Sequence, residues 1–167
     1  MTSWIENDTL FKKELETGNH WSNHVASVLN ENQIPCYATK MVFRDSIEEI
    51  SDFSKNDKDI VLTNPTGHIE VKSRNLKFES NPESYPYETA FVDTLDGWNK
   101  KAEKPLAVVL VSQRTSELLV IPTTSEPYWG QETKYDNVRG IYDTWLTVHK
   151  THLRPLSDLL DHLRRFQ

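Results

Sequence analysis

The chain has 167 residues, 37% hydrophobic and 26% charged, with a formal net charge of −6. That is soluble globular material for one domain, residues 1–167, with a proper core; repeats, low-complexity tracts and membrane-spanning apolar runs are not evident. The acidity argues against a surface coated in base, yet a local basic patch suffices to contact phosphates. Cys36 is the one cysteine, which excludes an internal disulfide and a cysteine-based zinc site and fits a reducing compartment. Met1 to Glu6 carries neither a basic start nor an apolar signal core.

Asn7 to Glu16 reads as a short helix with Leu10, Phe11 and Leu15 on one face, stopped by Gly18-Asn19. A second helix spans His20 to Asn30, with Trp21, Val25, Val28 and Leu29 at helical spacing and Trp21 a core residue. His20 and His24 lie one turn apart; with no third ligand in register they read as surface or capping groups. Ile34 to Phe43 is the first expected strand. Asp45 to Asp57 is a short helix or loop.

Asp59 to Leu62 and Ile69 to Ser73 read as two strands of a hairpin, joined by the turn chemistry of Asn64-Pro65-Thr66-Gly67. Ile69 and Val71 face one way, Glu70 and Lys72 the other, because strand side chains alternate. Antiparallel pairing sets Asp59 near the Glu70/Lys72 end. Two carboxylates can hold a hard divalent cation, and an adjacent lysine can stabilise phosphate charge or orient a water. Asp57 competes with Asp59, but Asp59 directly abuts the apolar strand.

Downstream, Ser73 to Lys77 is locally basic, with Arg74 and Lys77 as candidate phosphate contacts. Glu79 to Tyr87 reads as a loop. Thr94 to Lys104 suits a helix ended by Pro105. Leu106 to Val111 is apolar enough for a strand covered on both faces. Gln113 to Ser116 turns the chain, and Glu117 to Pro122 is a further strand. Ser125 to Gly140 reads as a long loop, packed or using aromatics interleaved with Lys134 and Arg139 against nucleic acid. Ile141 to His149 is an expected edge strand. Ser157 is the expected cap of a last helix that turns Leu159, Leu160 and Leu163 inward and carries Arg164 and Arg165 at its end.

Asp59, the hairpin turn and then Glu70-Val71-Lys72 resemble the core motif of the PD-(D/E)XK nuclease superfamily. Lys58 stands where the proline of that name would be. The order helix, strand, hairpin, helix, strand over residues 18–122 is the order the resemblance implies. It implies an α/β (α+β) restriction endonuclease-like core, a central mixed β-sheet flanked by helices. It implies a Mg²⁺-dependent endodeoxyribonuclease, with Mn²⁺ substituting, in which Asp59 and Glu70 hold the metal and Lys72 is catalytic. It also implies double-stranded DNA as substrate, a homodimer or higher homo-oligomer, and a bacterial or phage-infected host cytoplasm. A homing or restriction-like endonuclease, a Holliday-junction resolvase and a non-catalytic nucleic-acid-binding member all remain open. Many relatives place a further Glu one turn into the first core helix. About that point this chain has Ser22, and Glu14 and Glu16 are the nearest carboxylates.

Overall fold

The computed structural model of the protein describes residues 19–39 and 58–167. Its spine is β3 (Thr66–Arg74), which pairs with β2 (Ile60–Thr63) on one side and β5 (Ala107–Ser112) on the other. The β2–β3 hairpin is antiparallel, with Ile60 opposite Ile69. Its two-residue loop, Asn64-Pro65, contains a cis peptide bond. Gly67 follows with φ +155°, a backbone conformation that residues with a side chain rarely adopt, and a Cβ there would lie 2.7 Å from Leu106 Cδ1, so that Leu106 would have to shift. β3 and β5 run parallel, and residues 75–106 between them supply the crossover that parallel strands require.

Sheet A adds β1 (Cys36–Ala38) beyond β2, then β6 (Leu118–Pro122) and β9 (Arg154–Pro155) beyond β5. All its pairings except β3–β5 are antiparallel. The sheet is therefore mixed and central, as expected. α1, over residues 19–31, and α3 (Leu156–Arg165) cover one face. Trp21, Val25 and Leu29 from α1 and Leu159, Leu160 and Leu163 from α3 meet Ile60, Leu62, Ile69, Val109 and Val120 there. Period-3.6 stripes laid on period-2 strands explain why this half of the core is readable from sequence.

The second face is covered differently. A second sheet, in the order β4 (Thr89–Thr94), β8 (Ile141–His149), β7 (Gly130–Asp136), packs against it together with α2 (Leu95–Lys100). Val92, Trp98, Leu146 and Val148 meet Val108, Leu110, Leu119 and Ile121. Helices thus flank one face of sheet A, and sheet B with one short helix covers the other.

Several sequence expectations change here. The long loop expected over residues 125–140 contains β7, whose residues from Gly130 to Asp136 are each paired with β8. Its side chains are almost all exposed, so no apolar alternation marks it; the ladder and cross-strand contacts such as Tyr135 on Tyr142 hold it. Ile141–His149 is the middle strand of sheet B rather than an edge. The helix expected over 94–104 is confined to Leu95–Lys100, with Thr94 as its cap accepting from the Gly97 N–H. Pro155 precedes α3 without a side-chain cap bond, so Ser157 lies inside the first turn instead of capping it. Of the strand expected over 34–43, Cys36–Ala38 is the described part; the helix expected over 7–16 and the segment 45–57 lie outside the described residues.

Ile69 has no exposed surface and sits between α1 and α3. Ile69→Ala is expected to cost about 2–5 kcal/mol, read as a lower urea midpoint. Val138→Ala, at a position 94% exposed, should move it by less than about 0.5 kcal/mol.

Candidate active site at the seam of the two sheets

Alternation along β3 sends Ile69 and Val71 to the helix-covered face. His68, Glu70, Lys72 and Arg74 take the opposite face, in register with Val108, Leu110 and Ser112 of β5 from Glu70 onward. That face looks toward sheet B. The row of polar side chains therefore lies where the two sheets meet rather than on an open surface.

Glu70 is the centre of this row. Its Oε1 lies 3.2 Å from Lys72 Nζ and 3.1 Å from Lys101 Nζ. Its Oε2 is buried and has no hydrogen-bond partner among the described residues. Asp93, at the end of β4, completes the cluster: its Oδ1 is 3.7 Å from Lys72 Nζ and its Oδ2 3.6 Å from Lys101 Nζ. Asp93 Oδ1 also accepts from the Thr94 N–H at 2.8 Å. The β4–β8 register shifts between Phe91 and Asp93, and a bulge of this kind re-aims the side chains beside it. Lys101 is delivered by α2, which is short, capped by Thr94 and anchored by buried Trp98.

Asp59 stands at the mouth of the hairpin. Its backbone carbonyl accepts from Thr39 N–H at 3.0 Å, and its Oδ2 accepts from Val71 N–H at 2.8 Å. Its negative charge also acts on the Lys72 ammonium. Three carboxylates thus share two ammoniums. Next to Asp59 in the chain, Lys58 pairs with Glu103 at 2.9 Å. His68 is buried beside these groups. Burial, with Lys58 next, pulls its pKa below the ordinary histidine value, so it is neutral at pH 7.

Opposing effects act on the central pair. Burial pushes the Glu70 carboxyl up, but the ammoniums of Lys72 and Lys101 outweigh it and hold the pKa below the usual range. Burial pulls Lys72 down, and Glu70 and Asp93 together raise it above an ordinary lysine. Lys72 is therefore a fixed cation at neutral pH, unsuited to acting as a base.

The structure brings Asp59, Glu70 and Lys72 to one place. Arg74 turns inward instead of presenting itself to solvent: Nη2 donates to Phe91 O at 3.1 Å and Nη1 to Ser73 O at 3.3 Å. Lys77 is exposed beyond the end of β3. Ser22 is buried on α1 and supplies no acid; Glu14, Glu16 and Asp57 lie outside the described residues. His24 Nε2 bonds Ser116 O at 2.9 Å, and both His20 and His24 meet the Trp21 ring edge-on, in keeping with surface roles.

Asp93 and Lys101 were not among the expected site residues. Lys101 reads in sequence as a cation at a helix end, and Asp93 as the residue before a helix cap. The Phe-Val-Asp-Thr run, β-branched and ending in a cap, is a strand signal that could have flagged β4.

Among the described residues, no group of three or more His, Cys, Asp and Glu side chains is arranged to hold a metal ion. Mg²⁺ asks less of a protein, since one or two carboxylates suffice when waters and substrate phosphate complete its shell. The all-oxygen character of Asp59 and Glu70, with Glu70 Oε2 buried and unpartnered, fits such an ion. No protein-family model matches the chain significantly, and no curated protein or solved structure does so either.

The two central shifts set opposite pH limits. A depressed Glu70 pKa contributes stability that is complete above the unfolded value and lost as pH falls through the folded one. A raised Lys72 pKa contributes stability that is complete below the unfolded value and lost as pH rises through the folded one. The wild-type melting temperature should therefore fall more steeply than that of Glu70→Gln between about pH 5 and pH 3. Parallel curves in differential scanning calorimetry would contradict this coupling.

Proposed function

We propose that the chain is a Mg²⁺-dependent endonuclease that hydrolyses phosphodiester bonds of double-stranded DNA, with a restriction endonuclease-like core. The observation that carries this reading is the Glu70–Lys72 pair at 3.2 Å, adjoined by Asp59, with Glu70 Oε2 left unpartnered in a buried position. The element order supports it: a helix, an antiparallel three-stranded unit, a crossover with a short helix, and a strand parallel to β3.

Asp59 and Glu70 would hold the cation. Bound there, Mg²⁺ would polarise a phosphoryl oxygen and lower the pKa of a coordinated water. The chain's own groups do the remainder. Lys72, kept protonated by Glu70 and Asp93, places a fixed positive charge against the oxygens that gain charge as water attacks phosphorus. Asp93 holds both lysines in place from the opposite sheet. Lys101 supplies a second cation within reach of Glu70, free to turn to a phosphate once the carboxylates are otherwise neutralised. The attacking water gives up a proton to solvent as its oxygen forms the new P–O bond, and the departing ester oxygen leaves with its bonding electrons and takes a proton from solvent. Exposed Lys77 would contact flanking phosphate, and a homodimer would address the two strands.

Lys72→Ala should abolish Mg²⁺-dependent nicking of supercoiled plasmid while the circular dichroism spectrum and melting transition persist; undiminished nicking would sink the assignment. Linear duplex and a four-way junction in the same assay, each with Mg²⁺ and with chelator, separate a restriction-like activity from a junction-resolving one.

A second reading rests on the ion pairs themselves. Lys72 and Lys101 already neutralise Glu70 and Asp93 across the seam, as a structural network in a non-catalytic nucleic-acid-binding protein would. Calorimetry decides between the two. The nuclease reading expects Mg²⁺ or Mn²⁺ binding that is lost in Asp59→Asn and Glu70→Gln, and tighter binding in Lys101→Met, which removes a competing cation. Absence of metal binding favours the structural network.

A further inference from the structure

The Glu70–Lys72–Arg74 row does not end at Arg74. Beyond it lies a cavity of about 390 Å³, between β3 and sheet B, walled by Arg74, Phe91, Lys134, Tyr135, Val138 and Trp145. We infer that this cavity is a nucleobase pocket, taking one unstacked nucleotide of a single-stranded segment next to the carboxylate–lysine cluster. The inference rests on the nuclease reading for its choice of nucleic acid as ligand.

The lining chemistry supports that occupant. Phe91 and Trp145 meet edge to face with centroids 5.6 Å apart and form an aromatic wall. Every base has a π-face that stacks on such a wall whatever its identity. Lys134 Nζ sits 4.5 Å from the Phe91 ring centroid, and the Arg74 guanidinium is tied to the Phe91 carbonyl. Both are cations placed where the phosphate of a stacked nucleotide would follow the base. Against these two cations the lining sets one acidic side chain, Asp136, whose Oδ2 accepts from Arg139 Nε at 2.7 Å in a bridge that Arg139 shares with Asp143. The charge facing the cavity is therefore positive, although the whole chain is acidic.

Placement strengthens the case. Residues two apart on a strand face the same way at about 6.6–6.8 Å spacing, close to the step between nucleotides. Lys72 at the cluster and Arg74 at the pocket are such a pair. A base held in the pocket would set the adjoining phosphate along β3 toward Lys72. The β7–β8 hairpin that forms the outer wall carries exposed Tyr135 and Tyr142 in contact, centroids 5.1 Å apart, and the Arg139 bridges to Asp136 and Asp143 brace its end.

The test is fluorescence anisotropy in chelator, so that no cleavage intervenes, with a labelled decathymidylate and a decamer of the same phosphate count whose central nucleotides are abasic. The pocket predicts that the abasic strand binds the full chain at least about fivefold more weakly, as one lost stack requires. Trp145→Ala, which removes half of the aromatic wall, should abolish that difference in a protein that circular dichroism shows to be folded, whereas Lys134→Ala should weaken both strands alike. Equal affinity for the two strands, no binding of either, or a difference that survives Trp145→Ala would overturn the pocket, even in a protein that cuts DNA. A base-dependent difference in a protein that never cuts with Mg²⁺ supports the pocket and removes only the nuclease reading.

Discussion

The burial of Glu70 is the constraint on which the rest of the architecture turns. A carboxylate taken out of water costs several kcal/mol unless other charges replace its hydration. Here the replacement comes from two ammoniums on different elements. Lys72 comes from the same strand, and Lys101 from the end of the short helix that follows β4. Asp93 then closes the figure from sheet B. A single charge on β3 thereby fixes how sheet B and α2 sit against sheet A. The apolar contacts of Val92, Trp98, Leu146 and Val148 supply attraction without direction, whereas the ion pairs select one alignment.

The same arrangement gives the site its chemical character. A lone buried carboxylate would be driven toward its neutral form, and a lone buried lysine toward its free amine. Paired, both stay charged, and the site keeps a fixed anion beside a fixed cation at neutral pH. A self-neutralising cluster is poised to exchange partners. On the proposed reading, a divalent cation would compete with the ammoniums for Glu70, and an ammonium so released would meet a phosphate. The unpartnered Oε2 is the position at which the exchange has least to displace.

The division of the core into two unlike halves bears on function. Helices α1 and α3 seal one face of sheet A with interdigitated side chains. Sheet B covers the other face from Phe78 and Trp98 to Leu153, but the β3 margin of that face carries polar residues. His68, Glu70, Lys72 and Arg74 occupy that margin, and the cavity continues from it. Burial on one face and a polar seam on the other is what alternation along a single strand can provide. The nine residues of β3 do both jobs.

Sequence alone determined the β2–β3 hairpin, the apolar strand after Pro105 and the inward stripes of the first core helix and of the last helix. These are local signals: β-branched alternation, turn residues, 3.6-residue periodicity. They also carried the juxtaposition of Asp59, Glu70 and Lys72, because pairing across a short hairpin follows from its register. Of sheet B, β8 was legible as a strand, but its central place and its partners were decided by tertiary structure. β7 has almost no buried side chain, and its hydrogen bonds go to a partner whose placement no local pattern encodes. Asp93 and Lys101 belong to the same class: each reads as an ordinary polar residue at a helix end, and they enter the site only because the second sheet folds back onto the first. Arg74 shows the limit in reverse, since a basic run promises exposed cations, yet strand alternation turned this one into the seam, where the Phe91 carbonyl of sheet B receives it.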